Sequence, residues 1–286
     1  MSISTSGHTI HVEDTHKPHH QYHLVNPSPW PIIGATSVFT MAVGGALYMH
    51  KYPLGKFLLP LGLVMVLFTM FNWWKNVVHE GRVDHAHTPV VRKGLRLGMA
   101  LFILSEVMFF FAFFFGYFHA SLMPSGILDG LWVVKPGVWP PAGIKTFDPW
   151  HIPFMNTLIL LLSGTTVTWA HHELLHNKQK DLVKALAITV FLGASFTCFQ
   201  AYEYIHAPFG FKQGIFASNF YMATGFHGLH VLIGTIFLTI CMIRAGKGQF
   251  TEEHHLGFEF AAWYWHFVDV VWLFLFVFVY VLGGSK

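Results

Sequence analysis

The sequence predicts an all-α integral membrane protein with seven transmembrane helices. Three observations carry that prediction. Of the 286 residues, 53% are hydrophobic and only 11% charged, against roughly 25% charged in an ordinary soluble domain. The 30 Phe, 10 Trp and 9 Tyr present more aromatic surface than one soluble core can hide. Seven apolar segments of about 19 to 25 residues follow one another, matching the roughly 20 that a helix needs to cross the hydrocarbon core. The mean hydropathy of +0.49 excludes disorder. A net charge of +3, with no basic patch interleaved with aromatics, argues against nucleic acid as a partner.

In chain order, residues 1–29 read as a polar, solvated tail holding His8, His11, His16, His19, His20 and His23 and closing in NPSP. Their spacing is irregular and no cysteine lies nearby, so no metal site is expected there. No basic stretch followed by an apolar one marks a cleaved signal, so the first apolar segment is expected to insert. Residues 30–286 form the membrane domain. Its spans are read at Trp30 to His50, Leu54 to Trp74, Leu95 to His119, Phe154 to His176, Leu182 to His206, Asn219 to Ile243 and Phe258 to Leu282. Cys198 and Cys241 lie inside apolar runs and read as small hydrophobes. The connection from Ala120 to Pro153 holds six prolines, which lack amide donors and fix φ, so it is expected to be irregular and stiff. No internal repeat is visible, which weakens a transporter of the inverted-repeat kind.

Orientation follows from the basic residues. With seven spans the termini lie on opposite faces, and 11 of the 17 Lys and Arg fall on the N-terminal face. That bias places the N-terminus inside.

Ionisable groups within the spans need a reason, because each costs roughly 2.5 to 3.5 kcal/mol near the bilayer centre. Glu106 lies mid-segment among Leu, Val, Met and Phe. It reads either as a neutral, hydrogen-bonded carboxyl or as a group for proton chemistry or polar binding. Glu259, His266 and Asp269 share one face of the seventh segment, because positions seven apart return to within about 20° and positions three apart to within about 60°. His227 and His230 pair in the same way on the sixth. A buried interhelical network follows, as glue between helices or as a proton or ligand path. The remaining histidines do not assemble into a haem or copper site, so no intrinsic metal and no catalytic residue is expected. A retinal photoreceptor needs a lysine deep in a span, and none is there.

Trp73 and Trp74 close the second span and lead into KNVVHEGRVDHAHTPVVRKG. Indoles favour headgroup depth, and Lys, Arg and His can hold phosphate, so this stretch reads as a phospholipid shelf or as an ordinary snorkelling loop.

The motifs taken together resemble subunit III of the haem-copper cytochrome c oxidases. They run from YHLVNPSPWP (Tyr22 to Pro31) through HTPVV (His87 to Val91), KGLRLGMALFILSEVMFFFAFF (Lys93 to Phe114), WPPAGI (Trp139 to Ile144) and NTLILLLSG (Asn156 to Gly164). TWAHHELL (Thr168 to Leu175), QAYEY (Gln200 to Tyr204), ATGFHGLHVLIGTIFL (Ala223 to Leu238) and AAWYWHFVDVVWLFLFV (Ala261 to Val277) complete the series. All but the first twenty or so residues are covered.

The resemblance implies two first helices splayed from a bundle of five, with phospholipids in the V-shaped cleft between. It implies haem and copper in partner subunits and none here, packing on catalytic subunit I beside copper-bearing subunit II, and cytochrome c as electron donor to the complex. Proton uptake and active-site stability of the catalytic subunit would be supported. Glu106 matches the family's membrane carboxylate, and Trp74, Glu80, His87, Phe102 and Arg244 match positions resembling lipid contacts. Lys75 and His79 stand where the family commonly carries arginine, which loosens bidentate phosphate recognition. A longer loop around Gly126 to Pro136 favours a bacterial source and a bacterial plasma membrane, rather than the mitochondrial inner membrane. The alternatives are the equivalent quinol oxidase subunit, which usually has five helices, and a stand-alone proton or ion transporter built on Glu106, His230 and Asp269.

Overall fold

The computed structural model describes residues 20–123, 139–141 and 143–284, all helix or loop. The tail before His20 and the loop around Gly126 to Pro136 lie outside the described residues. Among the described residues, seven helices are long and apolar enough to cross a membrane. They are α1 (Trp30–Met49), α2 (Gly55–Arg82), α3 (Pro89–Leu122), α4 (Ile152–Leu175), α5 (Gln179–Ile205), α6 (Ile215–Gly246) and α7 (Leu256–Phe274), the last continued by a π-helical stretch over Leu275–Val281.

The helices outrun the apolar segments. Helix α2 continues eight residues past Trp74, and α3 starts at Pro89 rather than Leu95. Hydropathy marks where side chains meet lipid, whereas backbone hydrogen bonding carries a helix on into the headgroup layer. The start of α3 is set locally. Thr88 Oγ1 accepts from the Val91 amide at 3.4 Å, and Pro89, whose missing N–H costs nothing in the first turn, follows it. Three helices stop in one way. Lys51, Asn177 and Gly248 take positive φ after α1, α4 and α6. Each is followed by an amide that reaches back to a carbonyl of the last turn, as Tyr52 to Leu47 at 2.9 Å and Lys178 to Glu173 at 2.9 Å.

The described chain forms two compact units, Met1–Leu95 and Arg96–Lys286. In the first, α1 and α2 pack as a hairpin. A Cβ added at Gly44 would run into the Leu59 backbone, and one at Gly62 into that of Met41. Small residues at these two crossings let the backbones touch, the usual means of association where lipid removes the hydrophobic drive between helices.

In the second unit, α4, α5, α6 and α7 pack in a ring, α4 on α5, α5 on α6, α6 on α7 and α7 back on α4. Helix α7 is the hub, with eleven of its nineteen residues buried. Trp265 is its anchor, fully enclosed. A Cβ at Gly193 or Gly234 would approach its ring to 2.7 or 2.8 Å, and its indole donates to Ser163 Oγ at 2.9 Å. Two turns beyond, Trp272 donates to Thr157 Oγ1 at 2.9 Å. A buried indole needs such a partner, and both hydroxyls sit on α4.

Helix α3 is attached differently. No Cα of α3 comes within 8 Å of a described Cα in α4 to α7. Long side chains span the gap: Phe109 to Phe226 (5.1 Å between centroids), Phe110 to Phe267 (6.1 Å) and Phe114 to Phe274 (5.9 Å). Tyr117 adds a hydrogen bond to the Phe278 carbonyl at 3.2 Å.

Candidate functional site

The ionisable residues of the second unit fall into separate contacts rather than one continuous network. Glu106 on α3 meets His230 on α6, Oε2 to Nε2 at 2.8 Å. The other nitrogen of His230, Nδ1, faces the Phe226 carbonyl at 2.7 Å. A carbonyl only accepts, so Nδ1 carries its hydrogen and Nε2 faces the carboxyl across a contact that holds a single proton. Rings of Phe109, Phe110, Tyr264 and Phe267 surround the imidazole.

Glu259 was expected on a shared face with His266 and Asp269, but its partner is Arg96 of α3. The guanidinium grips it through Nε to Oε1 at 2.9 Å and Nη2 to Oε2 at 2.8 Å. This planar fork is the geometry arginine favours with carboxylates. Glu259 also lies in the first turn of α7, where a negative charge is favoured by the helix dipole. His266 and Asp269 do pair, Nδ1 to Oδ2 at 3.7 Å. They line an open cavity of about 440 Å³ with Gly164, Thr165 and Thr168 of α4, and His266 Nε2 also meets Thr168 Oγ1 at 3.2 Å. His227 turns elsewhere, its Nε2–H donating to the Val268 carbonyl at 3.2 Å. Three residues apart on a helix is about 60°, enough to send His227 to α7 and His230 to α3.

Two features escaped the sequence reading. Arg96 is the second residue of the third apolar segment as read from the sequence, and its partner lies 163 positions away. Glu203 of α5 accepts from the Tyr280 hydroxyl at 2.7 Å in the buried interior, with Gln200 Nε2 at 3.5 Å from both. QAYEY carried the residue, but the π-helical stretch that brings Tyr280 to it has no period readable in an apolar run.

The residues matched to lipid contacts fall in both units. In the second, Phe102 stacks on Tyr264 at 6.4 Å, and the Arg244 guanidinium lies over the Phe250 ring at 4.5 Å with Nε on Gln249 at 3.3 Å. In the first, Trp73 and Trp74 close an open groove of about 190 Å³ between α1 and α2, lined also by Gly34, Val38, Thr69 and Met70. Its one hydroxyl, that of Thr69, is spent on the Met65 carbonyl at 2.8 Å, so the groove is mostly apolar.

Glu80 and His87 stand just past that groove and are joined by a residue of the tail. His85 takes a positive φ of 49°, and the Ala86 amide reaches back to the Glu80 carbonyl at 3.0 Å. The loop thereby folds over the end of α2 and sets His87 against Gly81, where a Cβ would meet Nδ1 at 2.6 Å. The Thr88 hydroxyl donates to the Gln21 carbonyl at 2.5 Å, holding the tail alongside and bringing the His23 ring to 6.3 Å from that of His87. Burial and the neighbouring His23 hold His87 below the usual imidazole range, opposed by the Glu80 charge.

The sequence model of the family described as cytochrome c oxidase subunit III matches residues 20–284. The chain is 59% identical over 266 residues to a probable cytochrome c oxidase subunit 3 of Rickettsia bellii, covering 92% of this chain and 96% of that one. It is 60% identical over 266 residues to the protein of the same description in Rickettsia felis, covering 92% and 96%. It is 57% identical over 265 residues to cytochrome c oxidase subunit 3 of Arabidopsis thaliana, covering 93% and 97%. The chain belongs to the cytochrome c oxidase subunit III family, helical membrane subunits of an oxygen-reducing oxidase complex.

Proposed function

We propose that this chain is a non-catalytic core subunit that binds structural phospholipid and supports proton uptake and active-site stability in the catalytic subunit of a cytochrome c oxidase. The observation that carries the reading is the internal pairing of the ionisable groups within the spans. Arg96 with Glu259, Glu106 with His230, and His266 with Asp269 are matched inside the chain, which suits groups that fix helix positions better than groups that pass an ion along. The Glu106 and His230 contact, which holds one proton within the membrane, is where we place the support of proton uptake. The partners are catalytic subunit I, which with copper-bearing subunit II holds the haem and copper, and cytochrome c is the donor to the complex.

The apolar groove ending at Trp74 offers a bed for an acyl chain, and Glu80 and His87 beyond it offer polar groups at headgroup depth. Phe102 and Arg244 serve lipid in the second unit. The chain sits in a bacterial plasma membrane with its N-terminus inside, in keeping with the 11 of 17 basic residues on that face and with the Rickettsia relatives.

Purifying the tagged chain in mild detergent tests this reading. Haem should co-purify, oxygen consumption should follow reduced cytochrome c rather than a quinol, and phospholipid should be retained and then lost in the double variant Trp74→Ala, Glu80→Ala. A solitary haem-free chain that carries protons across liposomes would overturn it in favour of a transporter.

A further inference from the structure

From the convergence of His23, Glu80 and His87 we infer a binding site for a divalent transition-metal ion of the zinc class, at the end of α2. Their candidate ligand atoms, one per residue, all lie within 4.8 Å of one another. Donors on a common zinc ion at about 2.0 to 2.2 Å stand about 3.3 Å apart. Closing the remaining gap takes only small side-chain rotations, and His23 is carried on a segment outside the helices.

The surroundings hold the donors in place. The left-handed turn at His85 fixes His87 over Gly81, and Thr88 ties the tail by its hydroxyl to Gln21, two residues before His23. Three separate pieces of chain are thus brought together by contacts that do not involve the ligand atoms of Glu80 or His23. Two imidazoles and one carboxylate are a donor set that favours zinc, cobalt, nickel or copper over calcium and magnesium, which take oxygen ligands. Three protein ligands leave a fourth position open to water or another oxygen donor. The inference shares Glu80 and His87 with the lipid reading but needs no headgroup, and His23 belongs to the metal site alone.

The test uses the full chain in detergent with zinc ion alone as the probe. His8, His11, His16, His19 and His20 are replaced by glutamine throughout, so that the rest of the tail does not compete. Equilibrium dialysis should give one zinc per chain. His23→Gln, Glu80→Gln and His87→Gln should each weaken binding at least about tenfold, while His172→Gln on α4 should leave it unchanged. X-ray absorption at the zinc edge should show two imidazoles. His23→Gln lies outside every helix, so its effect cannot be a loss of fold. Binding that survives His23→Gln and Glu80→Gln, or a zinc shell with fewer than two imidazoles, overturns the site. Lipid content of a Trp74→Ala chain, which keeps all three metal ligands, reads the other proposal separately.

Discussion

His230 uses both ring nitrogens at once, Nδ1 on the Phe226 carbonyl of its own helix and Nε2 on the Glu106 carboxyl of another, at 2.7 and 2.8 Å. The first contact fixes the tautomer and so decides what the second can accept. An amide at position 106 can still donate to that nitrogen. Glu106→Gln should therefore leave folding and assembly intact, whereas His230→Leu strands the carboxyl and should cost about 1 to 3 kcal/mol. Thermal denaturation and subunit content after purification would separate the two. Failure of the glutamine variant to assemble would show that a charge, rather than a hydrogen bond, holds α3 there.

The fork between Arg96 and Glu259 should show coupling in a double-mutant cycle. Arg96→Met and Glu259→Gln are each expected to destabilise, and the pair to lose less than the sum, with a coupling of about 1.5 to 3 kcal/mol for hydrogen bonds between charged groups. Unfolding in a detergent titration gives the four values. Strict additivity would mean that the fork contributes no net interaction.

The hairpin of α1 and α2 depends on two crossings too close for any side chain. Gly44→Val and Gly62→Val should each force the helices apart, at about 1 to 3 kcal/mol as for other overpacked sites. Protease cleavage in the turn near Tyr52 should become faster. Unchanged cleavage would mean that the hairpin has slack elsewhere.

The loop over the end of α2 should respond to pH with a definite sign. His87 is held below the ordinary imidazole value by burial and by His23, against the opposing pull of Glu80, so the folded loop binds fewer protons than the opened one. Its stability is full above about pH 6.5, the value of an unperturbed histidine, and falls as the pH drops toward the depressed folded value. Protection of the Ala86 and Thr88 amides against exchange, relative to the intrinsic rate at each pH, should fall between pH 7 and 5. A His87 titration midpoint above the ordinary value would reverse the prediction.

The seven spans were legible because each is a long apolar run, and a run of that length has only one use in a bilayer. Their ends were not, since Lys75 to Arg82 continue α2 by backbone bonding alone. Glu106, His230 and Asp269 stood out as polar groups in apolar settings, but their partners did not. Helical spacing reveals which residues of one helix share a face, and says nothing about which face of another helix lies opposite. Hence Glu259 was grouped with its neighbours on α7 and not with Arg96. His23 looked like one more histidine in a polar tail until the left-handed turn at His85 brought His87 back to meet it.

Helix α3 stands off from the ring of α4 to α7, none of its Cα atoms lying within 8 Å of theirs among the described residues. Phenylalanine rings and a few polar fingers bridge that distance, and side-chain torsions are softer than interlocked backbones. The helix is thus mounted on compliant supports, and a small sideways displacement strains rotamers before it strains any main chain. The carboxyl of Glu106 rides on that mount. Its distance from His230 is thus open to tuning from outside, by whatever presses on the far side of α3.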